Sequence, residues 1–101
     1  MPLQQIEKHQ SGAYGVIGDL TFESVIHVEK EGLTVIKGYT SDVVFDLGAV
    51  KQCSSAVLAL LLSWVRAANV KGIGITFKAP PAQLRLMVEN AQLHGIIPLV
   101  V

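Results

Sequence analysis

Cys53, Ser54 and Ser55 stand in a row in the stretch "QCSSAVLALLL", ahead of seven consecutive apolar residues, Ala56 to Leu62. Three nucleophilic atoms together invite a catalytic reading. That reading needs a base and a site for developing charge. The histidines that could act as bases near neutral pH are His9, His27 and His94. None has a sequence neighbour that suggests a triad or a metal arrangement. His94 precedes Gly95 at the end of an expected helix, where a cation is mildly favoured. Cys53 lies before a helix start, which could lower its pKa, but a lone cysteine of this kind more often serves as a small buried residue. Asp42 and Asp46 flank a short valine-rich stretch and fit turns, and neither has a second acid beside it. "GIG" at 72–74 lacks the third glycine and the following helix of a dinucleotide fingerprint. These residues point to no enzyme, no cofactor and no metal.

What the two hydroxyls can do is open a helix. The first N–H groups of a helix lack internal partners, and serine is among the residues that satisfy them. Residues 54–69 read as that helix, closed by Asn69. Between Ala56 and Val65 only Ser63 is polar. A helix apolar on nearly all sides is buried on nearly all sides. A domain of 101 residues carries its helices outside its sheet, so one face should meet water. Either neighbouring helices wrap this one or a partner covers it. Trp64, near the end of the apolar run, belongs by default to the core, with an aromatic anchor in an interface as the alternative.

The remaining elements must position this helix. "GAYGVIGDL" (12–20) reads as a strand bounded by turn residues. Phe22, Val25, Ile26, Leu33 and Ile36 recur at helical spacing over 22–37. Thr21 is the expected cap, Glu23 suits the first turn, and Gly38 is a plausible stop. "DVVFDL" (42–47) reads as a buried strand, "GAVKQ" as a loop, and "GIGITF" (72–77) as a third strand. Residues 80–94 read as a helix with prolines at its start and Gly95 after its last turn. "IIPLVV" closes as a strand, and Pro98 makes it an edge. Strands alternating with helices predict one α/β domain over residues 1–101, a small mixed sheet with helices packed on it.

Composition narrows the function classes. Half the residues are hydrophobic, and eight acids balance eight bases. No cluster of Lys and Arg offers a surface for nucleic acid or for anionic lipid. The single cysteine excludes an internal disulfide framework and fits a reducing compartment. "MPLQQIEKHQ" does not have the pattern of a secretory signal. The longest apolar run is far below the roughly 20 residues of a membrane span. The expectation is a cytoplasmic domain with no direct membrane insertion.

"VVFDLGAV", the loop, "SSAVLALLLSW", a strand, and a helix that begins near prolines and ends in "LHGIIPLV" together resemble the STAS domain family. That family includes anti-sigma-factor antagonists and cytoplasmic domains of sulphate transporters. The resemblance is strongest from Asp42 to Val100. Within the family the chain looks most like the MlaB type of the maintenance-of-lipid-asymmetry, or toluene-tolerance, systems. There a strand ending in "DL" leads through a loop to an Asp-Ser/Thr pair and a helix rich in "LALLL". Without gaps from Asp46, Ser54 falls on the Asp of that pair, Ser55 on its Ser or Thr, and Leu58 to Leu62 on the "LALLL". In phosphorylated antagonists the acceptor follows that Ser; here it is Ala56, and the next glycine is Val57. A shift by one residue would put Cys53 on the Asp and Ser55 on the acceptor, but it loses the match at Asp46. The resemblance implies an α/β fold without catalysis. It implies an accessory subunit that binds the cytoplasmic ATPase of a phospholipid ABC transport system, held at the inner membrane through that partner. The partner surface it implies is Ser54, Ser55, Ala56, Leu58 and Trp64. The alternative it implies is an anti-sigma-factor antagonist, phosphorylated by a partner kinase, with Ser55 as the nearest candidate serine.

Overall fold

The structure, a computed structural model, describes residues 5–100. The first four residues of the N-terminal stretch read above, and Val101, lie outside the described residues.

The elements run β1 (Ile6–Lys8), β2 (Tyr14–Leu20), α1 (Val25–Lys37), β3 (Val43–Cys53), α2 (Ala56–Lys71), β4 (Ile75–Lys78), α3 (Ala82–Asn90) and β5 (Leu99–Val100). They form one five-stranded sheet in the order β1-β2-β3-β4-β5. β1 is antiparallel to β2, and the other pairings are parallel. The sheet is therefore mixed and the domain α/β, as the alternation predicts. α1, α2 and α3 each connect adjacent parallel strands in one direction across the sheet. Right-handed crossovers of that kind lay successive helices on one face. β2 and β3 also end together, Leu20 beside Cys53, so the starts of α1 and α2 come to the same rim of the sheet.

Alternating residues of the strands build the core beneath the helices. Phe45, Phe77 and Trp64 stack there, with Phe45 and Trp64 centroids 4.5 Å apart and 18° from coplanar. The Trp64 indole lies against Gly32 of α1, where a Cβ would overlap its ring. Its Nε1–H donates to the Glu29 carbonyl at 3.1 Å. Gly32 weakens the helix pattern in sequence, and this contact is the reason it is there: the indole needs the room.

Several boundaries differ from the sequence reading. "GAVKQ" is not a loop but the second half of β3, which continues to Cys53. Leu47, Val50 and Cys53 face the core and hold it there. Irregularities between Gly15 and Ile17 and between Gly18 and Leu20 keep β2 in register with it, and Gly18 takes φ +87°. Asp46 accordingly sits within a strand, not at its flank. Only Val43–Asp46 of β3 pair with β4, so the second half of β3 has β2 alone beside it in the ladder. β1 had no counterpart in the sequence reading.

α1 begins at Val25 rather than residue 22. Ser24 is its N-cap, and Thr21 and Ser24 bind each other: Thr21 N–H donates to Ser24 Oγ at 3.0 Å, and Ser24 N–H to Thr21 Oγ1 at 3.3 Å. α2 runs past Asn69 to Lys71 and is closed by Gly72 in the left-handed region, φ 73°. The third strand therefore starts at Ile75. α3 ends at Asn90, and the left-handed residue that follows is Gln92, φ 58°, not Gly95. β5 is two residues long and forms a sheet edge, in line with Pro98.

Candidate functional site

β3 delivers Cys53 to the rim, and the chain turns at once into α2. Ser54 N–H donates to the Leu20 carbonyl at 2.9 Å, which ties the turn to the end of β2. Ser54 Oγ accepts from Ala56 N–H at 3.3 Å. The inner hydroxyl thus satisfies one free backbone donor. Ser55 is the N-cap residue, with φ −62° and ψ −17°, and its side chain makes no capping bond. Ser54 is half-buried and Ser55 exposed. The pair splits into an inner structural hydroxyl and an outer one left facing solvent.

Ala56 and Leu58 flank that outer hydroxyl and are both half-buried. Trp64 is not with them. It is 0 % exposed and lies within the aromatic stack. The helical period explains this: Val57, Leu60, Leu61, Trp64, Val65 and Ala68 form the inward face. Trp64 is therefore withdrawn from the contact surface expected from sequence. The same period corrects the reading that α2 is buried on nearly all sides. Ala59, Arg66, Asn69 and Val70 are exposed.

Two residues missed as surface features belong to the same rim. Phe22 and Ile26 are 68 % and 62 % exposed, at the start of α1. In sequence they look like part of a buried stripe. Beginning α1 at Val25 leaves Phe22 in the preceding turn and rotates Ile26 outward. Their spacing from Val28, Gly32 and Ile36, which are buried, is the signal that could have separated them.

Cys53 is buried, with its Sγ 3.9 Å from Gln83 Oε1. Burial pushes its thiol pKa up, so the proximity of the α2 start does not yield a thiolate. The histidines are apart. His9 Nδ1 is 3.9 Å from Asp46 Oδ2, and His27 Nε2 is 3.5 Å from Glu31 one helical turn away. His94 is exposed after α3. Asp42 Oδ1 accepts from Gly74 N–H at 2.8 Å, and Asp46 Oδ1 from Gly48 N–H at 2.8 Å. A Cβ on Gly74 would meet the Asp42 carboxylate, so "GIG" is a close strand connection.

The fold and this site can be set beside known proteins. No curated protein matches the chain. Two solved structures share the fold at low identity. One is described as a candidate anti-sigma factor antagonist from Thermotoga maritima, with a TM-score of 0.75, 14% identity, and coverage of 93% of this chain and 82% of the other. The second is the anti-sigma factor antagonist SpoIIAA in its unphosphorylated form, with a TM-score of 0.73, 15% identity, and coverage of 96% and 87%. A family profile described as "Mlab, STAS domain" matches residues 7–100. The match takes in every strand from the middle of β1 to β5 and the whole serine-bearing rim, and by it the chain belongs to the STAS domain family.

Proposed function

We propose that this chain is a non-catalytic accessory subunit that binds the cytoplasmic ATPase of a phospholipid ABC transport system. In this reading the rim formed by Ser54, Ser55, Ala56 and Leu58 meets the ATPase, with Phe22 and Ile26 beside it. The domain sits at the inner membrane through that partner. The observation that carries the reading is the exposed, uncommitted Ser55 hydroxyl at the head of α2, flanked by half-exposed apolar residues. The family match supports it, as does the lack, among the described residues, of a helix long and apolar enough to cross a membrane.

The test is a pull-down of the ATPase with Ser55→Arg, beside a thermal melt. The side chain of Ser55 makes no capping bond, so its replacement spares the fold more than the usual cap loss of about 1 kcal/mol. Binding is expected to be lost, because an interface core does not easily desolvate an unpaired charge. Lys30→Glu, on the exposed side of α1, is expected to bind normally. A Ser55→Arg protein that melts normally and still binds would show the surface to be wrong.

The second reading is an anti-sigma-factor antagonist switched by phosphorylation. It is favoured by the exposure of Ser55 and by the description of the two solved structures. The ungapped register, with Ala56 at the acceptor position, opposes it. Incubation with an anti-sigma factor kinase is expected to leave Ser55 unmodified; stoichiometric phosphate there would establish the switch.

A further inference from the structure

The carboxyl half of α2 presents a different surface. At about 1.5 Å of rise per residue, Val70 lies some 22 Å along the helix from Ser55, so the two surfaces are separate. Val70 is 83 % exposed, and it stands on a ridge between two hollows. One hollow, about 390 Å³, opens between α1 and α2 and is lined by Leu33, Ile36, Ser63 and Ala67. The other, about 420 Å³, lies on the opposite flank and is lined by Leu62, Val65 and Ile96. Arg66 and Val70 border both.

The charges around these hollows are all of one sign. Lys37, Arg66 and Lys71 line them, and no Asp or Glu does. Lys71 is engaged with carbonyl oxygens at the end of α1. Lys37 and Arg66 are exposed and make no side-chain hydrogen bond or ion pair among the described residues. The chain as a whole is neutral, so this cationic, apolar end is a local arrangement, not a reflection of composition.

We propose that the carboxyl half of α2 is a docking surface for an amphipathic helix of a protein partner, one whose apolar face is bordered by carboxylates. Two hollows with a ridge between them suit the i, i+3, i+4 and i+7 side chains of such a helix. The carboxylates would meet Lys37 and Arg66 at the rim, where charge sets orientation and partner choice. A second copy of this chain does not fit: a two-fold contact through this surface would face the same cations with one another. A bilayer fits less well, because interfacial binding relies on aromatic side chains at the headgroup level, and neither hollow is lined by one.

The test uses the intact, isotope-labelled chain. It is titrated with a synthetic helix bearing leucines at i, i+3, i+4 and i+7 and glutamates on the flanks. A second peptide carries lysines in place of the glutamates, and a third sample contains phosphatidylglycerol vesicles. The glutamate peptide is expected to bind, with amide shifts at Leu33, Ser63, Ala67, Val70 and Ile96. Its affinity should fall with added salt. Lys37→Glu with Arg66→Glu should weaken it by about tenfold or more, the scale of two rim pairs turned repulsive. The same double variant should gain affinity for the lysine peptide, a swap that a misfolded protein would not make. Ser55→Arg should leave peptide binding unchanged, which keeps this proposal separate from the ATPase reading. Equal binding of both peptides by the unmodified chain, shifts confined to Ser54–Leu58, or binding of vesicles without binding of the glutamate peptide would each overturn it.

Discussion

At the scale of single residues, Gly32 and Trp64 act as one unit. Gly32→Ala would gain up to about 1 kcal/mol in helix propensity. The new methyl would overlap the indole, and overpacking of this kind costs typically about 1–3 kcal/mol. The net expectation is destabilisation, read as a lowered urea midpoint. A midpoint that rises would show that the indole can move aside freely. Cys53 gives a pH prediction of defined sign. Burial raises its pKa in the folded chain, so the folded state keeps a proton that the unfolded chain releases. Stability is then fully present below the ordinary thiol pKa of about 8.5 and falls as pH rises above it. Tyr14 acts in the same direction, through its hydrogen bond with the Tyr39 side chain and then through burial. Urea midpoints at neutral and alkaline pH isolate the thiol: Cys53→Ala is expected to lose less stability between the two than the unmodified chain. Equal losses would remove Cys53 from the account.

At the scale of elements, the end of α1 is closed by α2. Lys71 Nζ donates to the carbonyls of Ile36 at 3.0 Å and Lys37 at 2.8 Å, and also to that of Tyr39. A cation at the carbonyl end of a helix is favoured both by its dipole and by the free acceptors. Lys71→Met keeps the aliphatic stem and removes the charge. It is expected to cost about 1 kcal/mol, seen as a lower melting temperature and faster amide exchange over the last turn of α1. An unchanged melt would mean that water replaces the ammonium without loss. This clamp was not legible in the sequence, since it joins positions 34 apart and Lys71 lay beyond the expected end of its helix. What was legible was local. The apolar run of α2, the valine-rich start of β3 and the prolines before α3 each announce their element. The misread boundaries share a cause: the chain there obeys a neighbour. β3 runs on because β2 is beside it, and Ser24 rather than Thr21 opens α1 because the two side chains lock together. The candidate site was half legible as local structure. Ser54 and Ser55 are where their types suggested, but only the packing shows that one is committed and the other free. Trp64 could not be placed by type at all, because the same residue suits a core and an interface.

At the scale of the whole molecule, the helices share one face of the sheet, and the α2 axis carries two different ends. One end offers a neutral hydroxyl among apolar side chains; the other offers cations around apolar hollows. A domain of this size thus presents two unlike surfaces without a second fold unit. The unequal ladders on β3 have a further consequence. Beyond Asp46 its outer backbone groups have no β4 partner, which makes that half-strand a potential template for a strand from another molecule. Exposed Lys51 and Gln52 lie in this stretch, and a lysine there opposes edge-to-edge growth. Lys51→Val should therefore leave the melt of the dilute protein nearly unchanged and shorten the lag before light scattering rises in concentrated, warmed solution. An unaltered lag would locate the guard elsewhere, in the α3 start that brings Gln83 to Cys53 and closes part of this margin. One charged side chain on half a strand is thus the expected guard against strand addition at this edge.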